Sequence, residues 1–243
     1  MTRRTGARSP EGAPAEDLMA GWTTSLALWC AAAFLVLGAL VVTGAMRSWD
    51  GQTLGALRPG DAWGPWQVRL SPWMSRLAPD RMYAVLAMTS LATSAWRRSW
   101  WPAIFAAGLG GASMALTLLA KFAFQRPDPH GYVTPTGGSY PSGHVVALLV
   151  ALAGSLLLTA PRVPWWLWTP VVAAAGLMTA ALLVSAAHWP SDVLGGTLLA
   201  VAVVSAASRV PVRRWACRRR PAGGVPPPQR RKDSRRGATT SAS

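Results

Sequence analysis

The sequence predicts an all-α fold, namely a polytopic membrane protein built as a bundle of six transmembrane helices. Of its 243 residues, 51% are hydrophobic and only 14% are charged, which is a low charged fraction for a soluble domain of this length. The apolar run from Leu26 to Met46 carries no charge, and about 20 such residues suffice to cross a bilayer. Further apolar runs follow through short connections, so one bundle is expected rather than two domains.

The first three apolar segments differ in how clearly the sequence marks them. Gly21–Met46 is too long for the core of a signal peptide, so we interpret it as a retained membrane helix. Pro79–Trp96 is the weakest of the six because its uncharged core is short for a bilayer. Pro102–Phe124 follows Trp100 and Trp101, and tryptophan is typical of the membrane interface.

The last three segments complete the predicted bundle. Gly143–Ala160 is a long apolar run headed by a short turn sequence that contains a histidine. Trp165–Ala187 opens with a further group of tryptophans, as expected where a helix enters the interface. Val193–Ser208 follows a second histidine-containing turn and leads into an arginine-rich tail.

Arginine clusters predict which side of the bundle faces the cytoplasm. With six spans, the arginines at the N-terminus, between segments two and three, between four and five, and after six all fall on one side. They are Arg3, Arg4, Arg8, Arg97, Arg98, Arg162 and those of the tail. Because basic residues are enriched in cytoplasmic loops, both termini are expected in the cytoplasm of a bacterial cell, with the protein in the plasma membrane. The Trp-rich loop at 47–78 also carries arginines, against this rule, and an orientation along the membrane surface would account for them.

The chain divides into a cytoplasmic N-terminal segment (1–20), a membrane domain (21–208) and a basic tail (209–243). The tail holds 11 basic residues and one acid, so it contributes 11 − 1 = +10 of the formal net charge of +15. Such a cluster after a final membrane helix favours contact with anionic lipid; no recognition fold for nucleic acid accompanies it. Residues from Pro221 onward are predicted to be disordered.

Cys30 and Cys217 have no spacing typical of a disulfide or a metal site. The sequence leaves the oligomeric state open.

A histidine and an aspartate in "HWPSD" are the first candidates for catalysis. His188 and Asp192 are four residues apart, a spacing that puts two side chains on one face of a helix. A carboxylate there can accept a hydrogen bond from one ring nitrogen and leave the other with a free lone pair. This is the arrangement of a nucleophile and the group that orients it.

The fourth segment opens with "PSGH", which suits phosphate binding. Ser142 and Gly143 stand at a helix N-terminus, where free N–H groups and the positive end of the helix dipole attract anions. His144 could protonate a leaving oxygen as a general acid. In "KFAFQRPDP", Lys121 and Arg126 supply positive charge that would balance a phosphoryl group in transfer.

Each motif alone also has an ordinary structural explanation. "PSGH" alone is a helix cap followed by a buried histidine, "HWPSD" alone is a turn with an interfacial tryptophan, and Lys121 alone could extend its amine to the interface. Arg126 alone could be an interfacial anchor. All three motifs, however, fall on the same predicted side of the membrane. That coincidence favours a functional site.

These three segments resemble the signature motifs of the type 2 phosphatidic acid phosphatase superfamily, the lipid phosphate phosphatases related to vanadium haloperoxidases. The resemblance covers roughly Lys121 to Gly196 and fits a six-span membrane protein. It implies that His188 is the nucleophile that forms a phosphohistidine, that Asp192 orients it and that His144 is the general acid. It further implies that no metal or other cofactor is needed and that the phosphate is held by Lys121, Ser142 and Gly143.

Two positions depart from the family pattern. The first motif places an Arg-Pro pair seven residues after the lysine, where this chain has Asp128 followed by proline, and Arg126 stands two residues early. The third motif has an arginine six residues before its histidine, where this chain has Leu182. Because Arg126 is the one guanidinium left within the motifs, we expect it to bind phosphate as a planar fork. In an empty site, Asp128 is expected to pair with Arg126 or with His130.

The sequence therefore predicts metal-independent hydrolysis of a lipid phosphate outside the cytoplasm. Candidate substrates are polyprenyl diphosphate, phosphatidic acid and phosphatidylglycerophosphate, and the sequence does not choose among them. The alternative is a degenerate member of the fold that binds anionic lipid without turnover, as the leucine at position 182 favours. A haloperoxidase and a transporter are more distant alternatives, because the former are soluble and no internal repeat suggests the latter.

Overall fold

A computed structural model describes residues 13–58, 64–160 and 163–210. In these ranges the chain is helical apart from turns and one isolated β-bridge between Thr134 and Gly137, so the all-α prediction is confirmed. The helices are α1 (Ala13–Val42), α2 (Arg47–Leu57), α3 (Pro65–Arg76), α4 (Pro79–Arg97), α5 (Trp101–Phe124), α6 (Gly143–Thr159), α7 (Thr169–Val184) and α8 (Pro190–Ala207), with a short 3-10 helix at Trp165–Trp168 before α7. Helix α1 begins inside the stretch predicted as the N-terminal segment.

Four described segments are long and apolar enough to cross a membrane, which supports a multi-pass protein but not the count of six spans. They are Trp22–Val42, Trp101–Phe124, Trp165–Val184 and Pro190–Ala207. Helix α6 is apolar but has only 17 residues, about 25 Å of helix against a hydrocarbon core of about 30 Å. Helix α4 carries Asp80 and Arg81 in its first turn and buries Ser90 and Thr93 inside the bundle. Because of these polar residues, the mean hydropathy of α4 is lower than is typical of a membrane span, in agreement with its short uncharged core.

Helix α6 occupies the centre of the bundle. It packs against α4, α5, α7 and α8, while α1 lies along α8. Val145, Val146, Val150 and Ala151 have no solvent exposure. A helix that is covered on several sides must be apolar around most of its circumference, which explains why this run has so few polar residues. Because α6 lies at the centre, its first residues lie beside the end of α5 and the start of α8.

The Trp-rich loop at 47–78 contains two helices rather than an irregular connection. Helix α3 exposes Trp66 and Trp73 and stacks an arginine on each, with Arg69 Cζ 5.3 Å and Arg76 Cζ 4.9 Å from the ring centroids. Arginine and tryptophan together suit a membrane interface. Helix α2, by contrast, directs Asp50 into the protein, where the aspartate is fully buried.

The two ends of the bundle carry different chemistry. At one end, α4, α6 and α8 begin near the end of α5, and the three motifs lie there. At the other end, Arg97 donates to the carbonyl oxygen of Leu158 in the last turn of α6 (2.9 Å). Arg162, the basic tail from residue 211 onward with its predicted disorder, and residues 1–12 lie outside the described residues.

Candidate active site

The three motifs come together around a small pocket at one end of the bundle. Its volume is about 250 Å³, and its lining includes Lys121, Gly138, Gly143, His144 and His188. These residues come from the end of α5, the loop after it, the start of α6 and the turn before α8. The structure therefore brings together residues that are up to 67 positions apart (188 − 121) in the chain.

The start of α8 positions Asp192 against His188. Pro190 occupies the first turn, where its missing N–H costs nothing, and Asp192 stands at the third helical position. From there, Asp192 Oδ2 accepts the backbone N–H of Trp189 (3.1 Å) and lies 3.4 Å from His188 Nδ1. This reach back to the helix cap is half of a capping box. The carboxylate is fully buried, so its orientation is set by the helix start and not by solvent.

His144 approaches the same pocket from the first turn of α6. Its ring centroid lies 6.2 Å from that of His188, with the ring planes inclined by 70°. Helix α6 begins at Gly143, after Ser142 in an extended conformation. The first N–H groups of any helix lack partners within the helix and point outward from its end. The pocket therefore has two imidazoles and a helix N-terminus on its walls.

The residues predicted to hold phosphate are placed differently from one another. Lys121 lines the pocket and its Nζ donates to the carbonyl oxygen of Gly138 (2.6 Å). Gly143 also lines the pocket. Ser142 is fully buried, and its N–H donates to the carbonyl oxygen of Asp192 (3.0 Å), which ties the start of α6 to that of α8. Its Oγ is buried with no hydrogen-bond partner among the described residues.

Arg126, which is predicted to bind phosphate, is not among the residues that line the pocket. Its Nη1 donates to Asp192 Oδ1 (2.7 Å) and to Ser191 Oγ (2.6 Å), and its Nη2 donates to Asp50 Oδ2 (2.6 Å). The guanidinium is thus shared by two buried carboxylates. Two buried anions attract a guanidinium more strongly than an exposed loop does, which explains why the Arg126 side chain turns toward Asp50 and Asp192.

Of the two expected partners of Asp128, the structure shows His130 and not Arg126. Asp128 Oδ1 accepts the backbone N–H groups of His130 and Tyr132 (2.9 Å each), so it closes its own loop. An aspartate that bonds backbone two residues ahead is a common turn device and needs no distant partner. The pairing with His130 is therefore made through the backbone of that residue.

Leu182 fills the position where the family has an arginine. It lies in α7 with no solvent exposure and belongs to the hydrophobic core. A guanidinium at this position would be buried among apolar side chains. Within the described residues, Lys121 is the one lysine or arginine whose side chain lines the pocket.

Close backbone approach explains the glycines around the site. The loop after α5 returns onto that helix: the N–H of Gly138 donates to the carbonyl oxygen of Lys121 (3.0 Å), and Gly137 has a φ of +99°. A Cβ at Gly195 in α8 would lie 2.7 Å from Cζ and from the phenolic oxygen of Tyr140. Glycine at these positions lets the loop and α8 pack against the pocket.

Tyr140 anchors the loop to α1, a role that the sequence did not reveal. Its fully buried ring stacks on Phe34 (centroids 5.6 Å apart) and meets Phe124 edge-on (5.1 Å). Its hydroxyl donates to the carbonyl oxygen of Phe34 (3.0 Å). Burial raises the pKa of the Tyr140 phenol, so the phenol keeps the proton that it donates.

Asp50 is the main site residue that the sequence analysis missed. It lies 76 positions before Arg126 in a stretch without a recognisable motif. The one signal in the sequence is the scarcity of acids, nine in the whole chain.

The sequence predicted Trp189 only as an interfacial residue. Its indole N–H donates to the carbonyl oxygen of Pro127 (2.9 Å), and its ring lies 5.2 Å from Arg126 Cζ.

Part of the chain is similar to known proteins. Residues 99–216 match the model of the PAP2 superfamily. A segment of 82 residues is 40% identical to an undecaprenyl-diphosphatase from Sulfolobus acidocaldarius. That match covers 33% of this chain and 37% of the relative, so the chain spans little more than a third of its length. No solved structure matches the chain. The family match contains all three motifs, and the family resemblance drawn from them is confirmed.

Proposed function

Because residues 99–216 match the model of the PAP2 superfamily, we propose that this chain hydrolyses lipid phosphates or diphosphates in the membrane. The observation that carries the proposal is the pairing of His188 with a buried carboxylate beside a pocket that His144 also lines. A nucleophile, the group that orients it and a general acid are the parts that such a reaction needs.

In the proposed reaction, His188 attacks phosphorus through Nε2. Asp192 faces Nδ1 (3.4 Å) and holds the proton there, which leaves the Nε2 lone pair free for the new N–P bond. The bond from phosphorus to the leaving oxygen breaks, and protonated His144 gives one proton to that oxygen and becomes neutral. Neutral His144 then takes a proton from water, which attacks the phosphohistidine, breaks the N–P bond and releases phosphate. The enzyme returns to its starting protonation state.

We assign phosphate binding to Lys121 and to the N-terminus of α6. The Lys121 amine and the first backbone N–H groups of α6, at Gly143 and His144, border the same pocket. Ser142 is proposed to assist through its buried hydroxyl, which has no partner among the described residues. The mechanism uses no metal ion, since a histidine nucleophile forms the bond to phosphorus.

We further propose that the pocket opens on the extracytoplasmic side of a bacterial plasma membrane, with both termini in the cytoplasm. The support is the charge distribution: Arg97 lies at the end of the bundle opposite the pocket, where it caps α6. The substrate is proposed to be a polyprenyl diphosphate or another lipid phosphate. The name of the relative from Sulfolobus acidocaldarius is consistent with the former. The basic tail is proposed to contact anionic lipid on the cytoplasmic side.

A second candidate function is binding of anionic lipid without turnover. It is favoured by the engagement of Arg126 with two carboxylates and by the buried leucine at position 182. Together they leave the pocket without a guanidinium within the described residues. If phosphoryl transfer requires one, substrate would bind and remain intact.

The two candidates are separated by assaying phosphate release from purified protein in detergent. The panel contains a polyprenyl diphosphate, phosphatidic acid and phosphatidylglycerophosphate, with His188→Ala as the inactive control. Release from at least one lipid, absent in His188→Ala, is the expected result. Binding of the lipids without release by the wild-type protein would instead establish the non-catalytic alternative.

A further inference from the structure

Asp50 lies outside the three motifs and is fully buried, and each hydrogen bond of its carboxylate is made to the motif segments. Its Oδ1 accepts the backbone N–H of Ser191 (2.9 Å), and its Oδ2 accepts the Ser191 hydroxyl (2.7 Å) and Arg126 Nη2 (2.6 Å). An ionised carboxylate inside a protein is strongly unfavourable unless it is paired and hydrogen-bonded. The contacts of Asp50 with Arg126 and Ser191 meet this requirement, so Asp50 is a paired, buried carboxylate close to the proposed catalytic residue Asp192.

The fork of Arg126 is divided between two carboxylates. One terminal nitrogen bonds Asp192 Oδ1 and the other bonds Asp50 Oδ2, at 2.7 and 2.6 Å. A guanidinium that meets a single carboxylate usually engages both oxygens at once. Here Asp192 gives only Oδ1 to the arginine and keeps Oδ2 for His188 and for the backbone of Trp189.

The charges of the cluster also depend on Asp50. Two carboxylates and one guanidinium sum to −1, and one of these carboxylates, that of Asp192, lies 3.4 Å from His188 Nδ1. A net negative charge stabilises a histidine that becomes cationic as it bonds phosphorus. In Asp50→Asn, the charges of Arg126 and Asp192 would cancel each other, and the second terminal nitrogen of Arg126 would be free to turn to Asp192 Oδ2.

We infer that Asp50 is a positioning residue for the proposed reaction, which acts on His188 through Arg126 and Asp192. By holding one half of the Arg126 fork, it leaves Asp192 Oδ2 available to His188 Nδ1 and keeps the cluster negative. The inference rests on the proposed function. It also assigns Arg126 to this cluster rather than to phosphate.

The test compares Asp50→Asn in two backgrounds, wild type and Arg126→Gln, with turnover measured per folded protein. In the wild-type background, we expect kcat to fall about 10–100-fold, the usual cost of removing a partner that orients a functional ligand, with KM changed less than about threefold. The Arg126→Gln background has no guanidinium that could turn to Asp192 Oδ2. In this background, Asp50→Asn should lower kcat by less than about threefold. Gln52→Ala is the matched control, because Gln52 lies exposed on the same helix and bonds only Ser48 among the contacts described.

A second readout does not require turnover. The chain has three histidines, so protein labelled with ¹⁵N-histidine gives the signals of three imidazoles, each with two ring nitrogens, and His188→Asn assigns those of His188. We expect the Nδ1–H tautomer of His188 in the wild type and a mixture of tautomers in Asp50→Asn. If Asp50→Asn does not yield monodisperse protein, Ser191→Ala, which removes the hydroxyl between Asp50 and the fork, should shift the tautomer in the same direction.

The outcomes separate the inference from the proposed function. A wild-type tautomer and kcat in Asp50→Asn, or an equal loss in both backgrounds, would overturn the positioning role while leaving the phosphatase intact. If the wild-type protein releases no phosphate but Asp50→Asn changes the tautomer of His188, the proposed reaction is wrong and Asp50 remains the group that orients His188. A loss of activity that merely follows a loss of folded protein, with the tautomer unchanged, would make Asp50 structural only.

Discussion

His144 and His188 face one pocket from the starts of two different helices, with ring centroids 6.2 Å apart. The buried carboxylate of Asp192 accompanies only His188, at 3.4 Å from Nδ1. This asymmetry distinguishes the two imidazoles: the ring with a carboxylate suits the nucleophile, and the other suits the general acid.

The two histidines should therefore differ in how their loss depends on the substrate. His188→Ala should abolish turnover of every substrate, because no phosphohistidine can form. His144→Ala should be least harmful for an activated aryl phosphate, whose leaving group needs little protonation. The measurement is kcat/KM for an aryl phosphate and a lipid phosphate. Equal losses on both substrates in His144→Ala would remove the general-acid assignment.

Asp192→Asn should retain the fold and lose activity. The amide can still accept from Trp189, but it no longer holds the proton on His188 Nδ1 as an anion does. By analogy with mispositioned histidines in other enzymes, we expect kcat to fall about 10²–10⁴-fold. Steady-state kinetics on protein with an unchanged gel-filtration profile measures this. Activity near the wild-type level would show that Asp192 does not orient the nucleophile.

Arg126→Ala should lower stability as well as activity. It leaves Asp50 and Asp192 buried without their shared cation, and breaking a buried ion pair from one side costs about 3–5 kcal/mol. Thermal unfolding in detergent measures the effect. Arg69→Ala, in the exposed part of α3, should leave the melting temperature unchanged. A melting temperature unaltered by Arg126→Ala, with activity lost, would return Arg126 to the role of a phosphate fork.

Gly195→Ala should destabilise the protein, because the new methyl group would meet the buried ring of Tyr140 at 2.7 Å. Overpacking of this kind typically costs about 1–3 kcal/mol. Gly176→Ala in α7 is the matched control, since no heavy atom lies within 4 Å of the position of its Cβ. Equal melting temperatures for the two variants would contradict the close packing of α8 on the loop.

The orientation in the membrane is tested by cysteine labelling in a background without Cys30 and Cys217. Tyr132 lies in the loop beside the pocket and is 67% exposed, whereas Ser139 in the same loop is buried, so Tyr132 is the position chosen for labelling. Tyr132→Cys should react with an impermeant thiol reagent in cells whose outer envelope is permeabilised. Trp100→Cys, at the opposite end, should react only after lysis of the inner membrane. The reverse pattern would place the pocket on the cytoplasmic side.

Local properties of this protein are determined by the sequence alone. Runs of apolar residues predict the all-α membrane fold, because a chain in lipid must satisfy its backbone hydrogen bonds within helices. The spacing of His188 and Asp192 predicts their contact, since four residues about a helix start bring two side chains to one face. The presence of "PSGH" and "HWPSD" likewise indicates the family without any tertiary information.

The partners of charged groups were decided only by the tertiary structure. The sequence predicted that Arg126 binds phosphate and that Asp128 pairs with Arg126 or with His130, because these residues stand close together in the chain. In the fold, Arg126 instead meets Asp50 and Asp192, which arrive from α2 and α8. A long side chain reaches groups from several helices, and a buried cation is drawn to the nearest buried anions wherever they lie in the chain. Sequence distance carries no information about that choice, which explains why Asp50 became visible only when the helices were packed.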